Sequence, residues 1–280
     1  MSAPAPASTA THETDAAGFA AEWRSWHQQR LQGLSAPHGF LAVTDLHWLT
    51  SDPTRFDGVP GQWWVSDDWL YVDLGANERL LLNGKPIAGV QKLGSIAERD
   101  GFVLGHGDTL VEAAKRGGKY FLRPRHPRNP LLQDFNGVPV YSPDPRWRVT
   151  GTYRRFDRPR SIRVGASLEG IELVYEAPGE VVFMLDGKNH VLTAFNGHVA
   201  GTLNILFTDA TSGKTTYAAN RSLVVATPDE GANIVLDFNR AVNLPCAFTD
   251  LATCPLPPTG NQLAVAIEAG ERIPFERSAN

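Results

Sequence analysis

Apolar residues follow two different periods along this chain. Near the front, Phe19, Trp23, Trp26 and Leu34 recur at helical spacing with Leu31 close by, while Glu22, Arg24, Ser25, Gln28 and Gln29 take the other faces. Thr11 or Thr14 is the candidate cap of this helix and Gly33 its candidate end. A stripe with two tryptophans is the kind that docks a helix on a sheet. Beyond residue 60 the texture changes to short β-prone runs, among them Trp69–Val72, Arg79–Leu82, Ile171–Tyr175, Val181–Leu185 and Leu203–Phe207. Between them lie Asn83-Gly84, Asn136-Gly137, Asp186-Gly187 and Asn196-Gly197, dipeptides suited to the φ > 0 positions of hairpin turns. Short strands broken by such turns predict a mainly β fold, an antiparallel sandwich or barrel-like pair of sheets, with an N-terminal amphipathic helix.

The division expected along the chain is a disordered tail over residues 1–13, a helix plus β unit over 14–122, a connecting segment over 123–146, a second β unit over 147–273 and a tail over 274–280. The connecting segment is marked by Arg123-Pro124-Arg125-His126-Pro127-Arg128-Asn129-Pro130 and Ser142-Pro143-Asp144-Pro145, both poor in formers of regular structure. At 280 residues with 42% hydrophobic content, the chain is long enough to bury a large core.

Charge narrows the partner classes. Lys plus Arg number 26 against 30 Asp plus Glu, a formal net charge of −4, and basic runs are seen at Lys115–Lys119 and Arg123–Arg128. That balance argues against nucleic acid as a partner. No run of apolar residues reaches the length of a membrane-spanning helix, so no membrane partner is expected. The small, Pro-rich start lacks the cationic and apolar regions of a signal peptide, and the protein is expected to be cytoplasmic, with its two cysteines reduced.

Several motifs fail on inspection. Ser212-Gly213-Lys214-Thr215 ends like a phosphate-binding loop, but Thr208 stands where that loop needs its first glycine, so Asp209–Lys214 is read as a turn. No G-x-S-x-G elbow is present, and the eight histidines form no metal-ligand spacing. No metal site and no cofactor are expected.

The densest polar segment is Asp237-Phe238-Asn239-Arg240-Ala241-Val242-Asn243-Leu244-Pro245-Cys246, closed by Cys254-Pro255-Leu256-Pro257-Pro258. Asp237 and Asn239 are the candidate catalytic groups. Arg240 and Asn243, with Arg221, Tyr217, Arg123 and Arg125, are the candidate ligand contacts. In an extended segment Asp237 and Asn239 point the same way, and Arg221 and Tyr217 are expected to complete their cluster from a neighbouring strand. Cys246 and Cys254 have a spacing that matches no common zinc knuckle. Two buried thiols, a disulfide and a reactive thiol are the readings left open, as thiol/disulfide candidates.

This signature, continued by Asn261-Gln262-Leu263 and Ile267-Glu268-Ala269-Gly270-Glu271, resembles that of a bacterial family known as domain of unknown function 1684. Gly39–Leu49 resembles the family's opening segment, and Asp209–Tyr217 its "D.T.G..TY" segment. The resemblance runs from about residue 20 to residue 271. It implies a β-rich protein without an assigned activity, some relatives being exported. Where relatives follow the "TY" with glycines and an aromatic, this chain has Ala218-Ala219-Asn220-Arg221-Ser222-Leu223, keeping the arginine alone.

Two functions remain open. In one, the protein is a small-molecule-binding or hydrolase-like protein whose pocket is floored by Asp237, Asn239 and Arg240, with Asp237 doing acid–base work. In the other it is a non-catalytic β-rich scaffold or interaction protein, with Arg123, Arg125 and Arg128 facing an acidic partner.

Overall fold

The computed structural model describes residues 10–229 and 231–277. The expected N-terminal tail therefore falls largely outside the described residues, as does the end of the C-terminal one. Helix α1 (Ala10–Leu34) is followed by ten strands. These are β1 (His47–Trp48), β2 (Thr54–Phe56), β3 (Val59–Ser66), β4 (Trp69–Leu74), β5 (Leu80–Leu82), β6 (Lys85–Ile87), β7 (Gly89–Gly94), β8 (Gly101–His106), β9 (Thr109–Arg116) and β10 (Lys119–Arg125). After the short α2 (Pro130–Gln133) come β11 (Arg148–Gly165), β12 (Glu172–Leu185), β13 (Lys188–Asn196), β14 (Thr202–Phe207), β15 (Arg221–Ala226) and β16 (Asn233–Asp237). The protein is mainly β and its strand pairs are antiparallel, with the helix at the front.

The N-terminal strands make a six-stranded sheet, β1-β10-β9-β8-β5-β6, and a four-stranded one, β2-β3-β4-β7. Their inward residues share a core that includes Trp63, Leu70, Val72, Leu80, Leu104 and Leu122. The C-terminal strands make a second six-stranded sheet, β15-β14-β13-β12-β11-β16, which curls until its edge strands β15 and β16 approach each other. Alternating residues such as Tyr153, Val181, Phe183, Ile205, Phe207 and Leu236 fill this nearly closed barrel.

Turn chemistry explains several of the corners. Asn83 and Gly84 both have positive φ between β5 and β6, as do Asp186 and Gly187 between β12 and β13. Asp67 and Asp68 turn β3 into β4 in the same way, a dipeptide outside the familiar Asn-Gly and Asp-Gly set. Asn136-Gly137 joins no hairpin, and Gly197 keeps an ordinary φ at the start of a longer β13–β14 loop. The runs at 171–175 and 181–185 belong to one strand, β12. Its Pro178, which has no N–H to donate, falls at a register shift where residues 156–159 of β11 loop out.

The barrel is plugged by a strap over residues 261–271 that lies outside the sheet. Leu263, Ile267 and Ala269 enter the barrel core. The strap is held by backbone and side chains together: Leu263 N donates to Thr208 O at 2.8 Å and Glu271 N to Ala241 O at 2.8 Å. Asn261 Nδ2 donates to Thr193 O at 2.9 Å and Leu206 O at 2.7 Å, while its Oδ1 accepts from Thr193 N at 2.8 Å. Helix α1 packs on the same end of the molecule: Trp23 Nε1 donates to Asn239 O at 2.8 Å, and Arg30 reaches Glu271.

Near the strap's end, Gly270 has φ +76°, and a Cβ there would lie 2.5 Å from Ala241 O and 2.8 Å from Phe238 O. Neither backbone oxygen can move without disturbing the turn that follows β16. Gly270→Ala is therefore expected to lower unfolding free energy by at least about 2 kcal/mol, from left-handed strain and overlap together. Chemical denaturation checks this, and an unchanged midpoint would refute the tight approach.

Candidate functional site

The chain leaves the extended conformation as soon as β16 ends. Asp237 accepts a hydrogen bond on Oδ1 from Asn239 N at 3.2 Å, and Phe238–Arg240 form a 3-10 turn. An acidic residue that caps its own turn cannot keep the strand alternation going, so Asp237 and Asn239 do not line one face of a strand. Asn239 is buried and bonded throughout. Its Oδ1 accepts from Asp144 N at 2.9 Å, and its Nδ2 donates to Asp144 O at 3.0 Å and Asp237 Oδ1 at 2.9 Å. It thus staples the turn to the segment that leads into β11. Arg240 turns outward to Glu22 and Trp26 of α1, with its Nε 3.4 Å from Asp237 Oδ2.

Asp237 and Arg240 do border an open groove of about 420 Å³ along the β15–β16 seam, with Glu22 and Arg148 beside them. Arg148 Nη1 is 3.9 Å from Glu22 Oε2, so two carboxylates face two guanidiniums and the charges offset one another.

The other predicted contacts are dispersed. Arg221 is buried and directed at Asp209, not Asp237: Nη2 is 2.7 Å from Asp209 Oδ2 and also donates to Ile267 O at 3.0 Å, while Nη1 donates to Ala269 O. Asp209 Oδ1 accepts from Thr211 N, Thr211 Oγ1 and Ile267 N. Asn243 N donates to Glu271 Oε2 at 2.6 Å, and its Nδ2 donates to Arg272 O at 2.8 Å. Tyr217 packs with Cys246 and Cys254, which are free, buried thiols. Adjacency in sequence suggested one polar cluster. The barrel distributes these groups among three, because β14, β15 and the strap bring Asp209 and Arg221 together from opposite ends of the segment.

Arg123 and Arg125 converge on Glu112 from neighbouring β10 positions. Arg123 Nη2 is 2.8 Å from Glu112 Oε2, and both guanidiniums lie over the Phe40 ring. Burial raises the Glu112 carboxyl, but the two arginines overcome that and hold it below the usual carboxylate value. The pair is thereby engaged internally, and burial of Arg123 leaves little of it to meet a partner. A further basic run, Arg154-Arg155-Phe156-Asp157-Arg158-Pro159-Arg160-Ser161-Ile162-Arg163, lies on β11. Across the hairpin Arg154 meets Glu180 at 2.7 Å and Arg163 meets Glu172 at 3.0 Å.

One opening has uncompensated charge. A cavity of about 510 Å³ is lined by Pro139, Lys214, Thr215, Arg272, Ile273, Phe275 and Arg277. None of these lining groups is acidic. Arg277 pairs with Asp250 at 2.6 Å, whereas Lys214 and Arg272 have no ion pair among the described residues. Arg272 lies over the Tyr141 ring, whose hydroxyl is 2.6 Å from Thr215 Oγ1. The amides of the Ser212–Thr215 turn give no phosphate cradle: Lys214 N and Thr215 N both donate to Thr211 O at 3.0 Å. Sequence reasoning passed over Lys214 once the phosphate loop failed, and nothing in the spacing showed that Arg272 would stand opposite it. Among the described residues no three His, Cys, Asp or Glu side chains converge as metal ligands, and no helix is long and apolar enough to cross a membrane.

A family model described as protein of unknown function, DUF1684, matches residues 133–272, half of the chain. The chain belongs to the DUF1684 family. The DUF1684 match takes in the barrel, the strap and the two unpaired cations, and it starts well after Gly39–Leu49. Among solved structures, an uncharacterized protein of Haloarcula marismortui, determined by solution NMR, is 35% identical over 50% of this chain and 78% of its own, with a TM-score of 0.43. No curated protein matches.

Helix α1 adds a pH dependence to the stability of the fold. His27 stacks on Trp23 at 4.8 Å beside Arg30 and Glu271, and its Nε2 is buried without a partner. Burial, and then Arg30, hold its pKa below the usual histidine value, although Glu271 opposes them. The unfolded chain then binds the proton first, so stability is intact above about pH 6.5 and falls as pH drops toward the folded value. His27→Asn is expected to flatten the loss of melting temperature between pH 7.5 and 5.5. An identical slope in both proteins would contradict this.

Proposed function

We propose that this protein binds a small organic anion, a carboxylate with an apolar or aromatic body, in the Lys214–Arg272 cavity. The observation that carries the reading is the pair of cations without carboxylate partners over an opening whose lining has no acid. Elsewhere around the signature, each guanidinium meets a carboxylate: Arg240 with Glu22, Arg221 with Asp209 and Arg30 with Glu271. A planar guanidinium over Tyr141 offers a fork for a carboxylate, while Ile273, Phe275 and Pro139 suit an apolar body.

The seam groove beside Asp237 and Arg240 is the second reading, supported by its volume and by a carboxylate whose Oδ2 lies 3.4 Å from Arg240 Nε at its edge. Titration with phenylacetate, followed by amide chemical shifts, separates the two. Saturable shifts at residues 214–215 and 272–277, weakened about tenfold or more by Arg272→Ala and by Lys214→Ala, are expected. Shifts confined to residues 223–237 would move the ligand to the groove. No saturable shifts at either place would overturn the binding function.

A further inference from the structure

Behind the cavity wall, Arg277 Nη2 donates to Cys246 O at 3.4 Å, and Cys246 begins a second group of reactive side chains. Cys246 sits in the 3-10 turn Pro245–Ala247, and its N–H donates to Cys254 Sγ at 3.3 Å. The two thiols pack in one cluster, with Tyr217 against it. The Ser167 hydroxyl adjoins Cys254: it donates to Ala252 O at 3.0 Å and accepts from Cys254 N at 3.1 Å. Phe40, Leu244 and Ala252 close the cluster.

The two sulfurs are not equivalent, although Cys254 Sγ also accepts the Cys246 N–H. Donation from Cys254, and also from Ser167 and Tyr217, holds the Cys246 thiol below its ordinary value, while Cys254 is pushed up by keeping the shared proton and by burial. The Tyr217 phenol is pushed up to about 12, by burial first and then by Cys246, so it remains a donor. Arg277 lies near Cys246 and Arg123 near Cys254, which favours negative charge in the cluster.

We propose that Cys246 and Cys254 are a peroxide-oxidised dithiol, in which Cys246 is the attacking sulfur and Cys254 the resolving one. The Cys246 thiolate attacks one oxygen of hydrogen peroxide. The O–O bond breaks, the departing hydroxide takes a proton to leave as water, and Cys246 becomes a sulfenic acid. Cys254 then gives up its proton and attacks that sulfur. The S–S bond forms, the S–O bond breaks, and a second water leaves, so two thiols and one peroxide yield one disulfide and two waters. Burial of both residues selects a small oxidant over a bulky disulfide. Half-buried Tyr217 marks the side from which peroxide arrives. This activity does not depend on the anion cavity.

The test is hydrogen peroxide titration of the full chain, quenched in denaturant with N-ethylmaleimide and read by intact mass. Reduced protein takes two maleimides. The oxidised product is expected to take none, to be about two mass units lighter, to form at a rate independent of protein concentration and to revert with dithiothreitol. Cys254→Ser should stop at a sulfenic acid on Cys246 that dimedone captures. Tyr217→Phe should slow the wild-type oxidation about threefold or more with both cysteines still present. Two maleimides on wild-type protein, after exposure that fully oxidises free glutathione, would overturn the proposal even if the variants fail to fold. Oxidation of Cys254 ahead of Cys246 would also overturn it.

Discussion

The C-terminal half depends on a fully buried ion pair. Arg221 begins β15 and Asp209 ends the stretch after β14, and both side chains are excluded from water. A guanidinium in that setting needs close partners, and here Asp209, Ile267 O and Ala269 O meet its two terminal nitrogens while Nε has no hydrogen-bond partner. The same carboxylate receives Ile267 N, so the pair clasps the strap from both its N–H and its C=O sides. Without that clasp, Ile267 and Ala269 have no sheet neighbour to hold them in the barrel core. Gly270 then lets the chain pass over the turn at Phe238–Ala241, and Glu271 meets Arg30 of α1. Barrel, strap and helix are thus linked through one chain of contacts.

This arrangement gives the polar signature a physical meaning. Asn239 joins the end of β16 to residue 144, Asn243 joins the following loop to Glu271 and Arg272, and Asn261 joins the strap to β13 and β14. The Asn239 and Asn243 amides bond irregular backbone, which has no ladder to satisfy its N–H and C=O groups, and the Asn261 amide ties the strap to strand backbone. What the signature leaves free lies at its edge. Arg272 follows the strap, and Lys214 stands on the turn beside it.

Local signals were legible. Alternation located the strands, Asn83-Gly84 and Asp186-Gly187 located two hairpins, and the tryptophan stripe located α1, which ends one residue past Gly33. Relations between distant segments were not. Residues 171–175 and 181–185 read as two runs, yet a register shift absorbs Pro178 inside one strand, β12. Arg221 looked like a partner for Asp237, because sequence proximity and polarity cannot show which carboxylate a curled sheet presents. Asp209 was hidden inside a turn motif, and its partners in the strap lie about sixty residues on. The cysteines were legible as a pair, whereas Tyr217 and Ser167, which act on their sulfurs, come from separate loops.

The central claim is that Arg221 and Asp209 act as one unit that holds the strap. A double-mutant cycle on unfolding free energy, with Arg221→Met, Asp209→Leu and the two together, tests it most directly. Each single change leaves a buried charge unmatched and is expected to cost about 3–5 kcal/mol, with the double variant losing clearly less than the sum. Losses that add to within about 0.5 kcal/mol would contradict the account, because the two residues would then stabilise the protein independently.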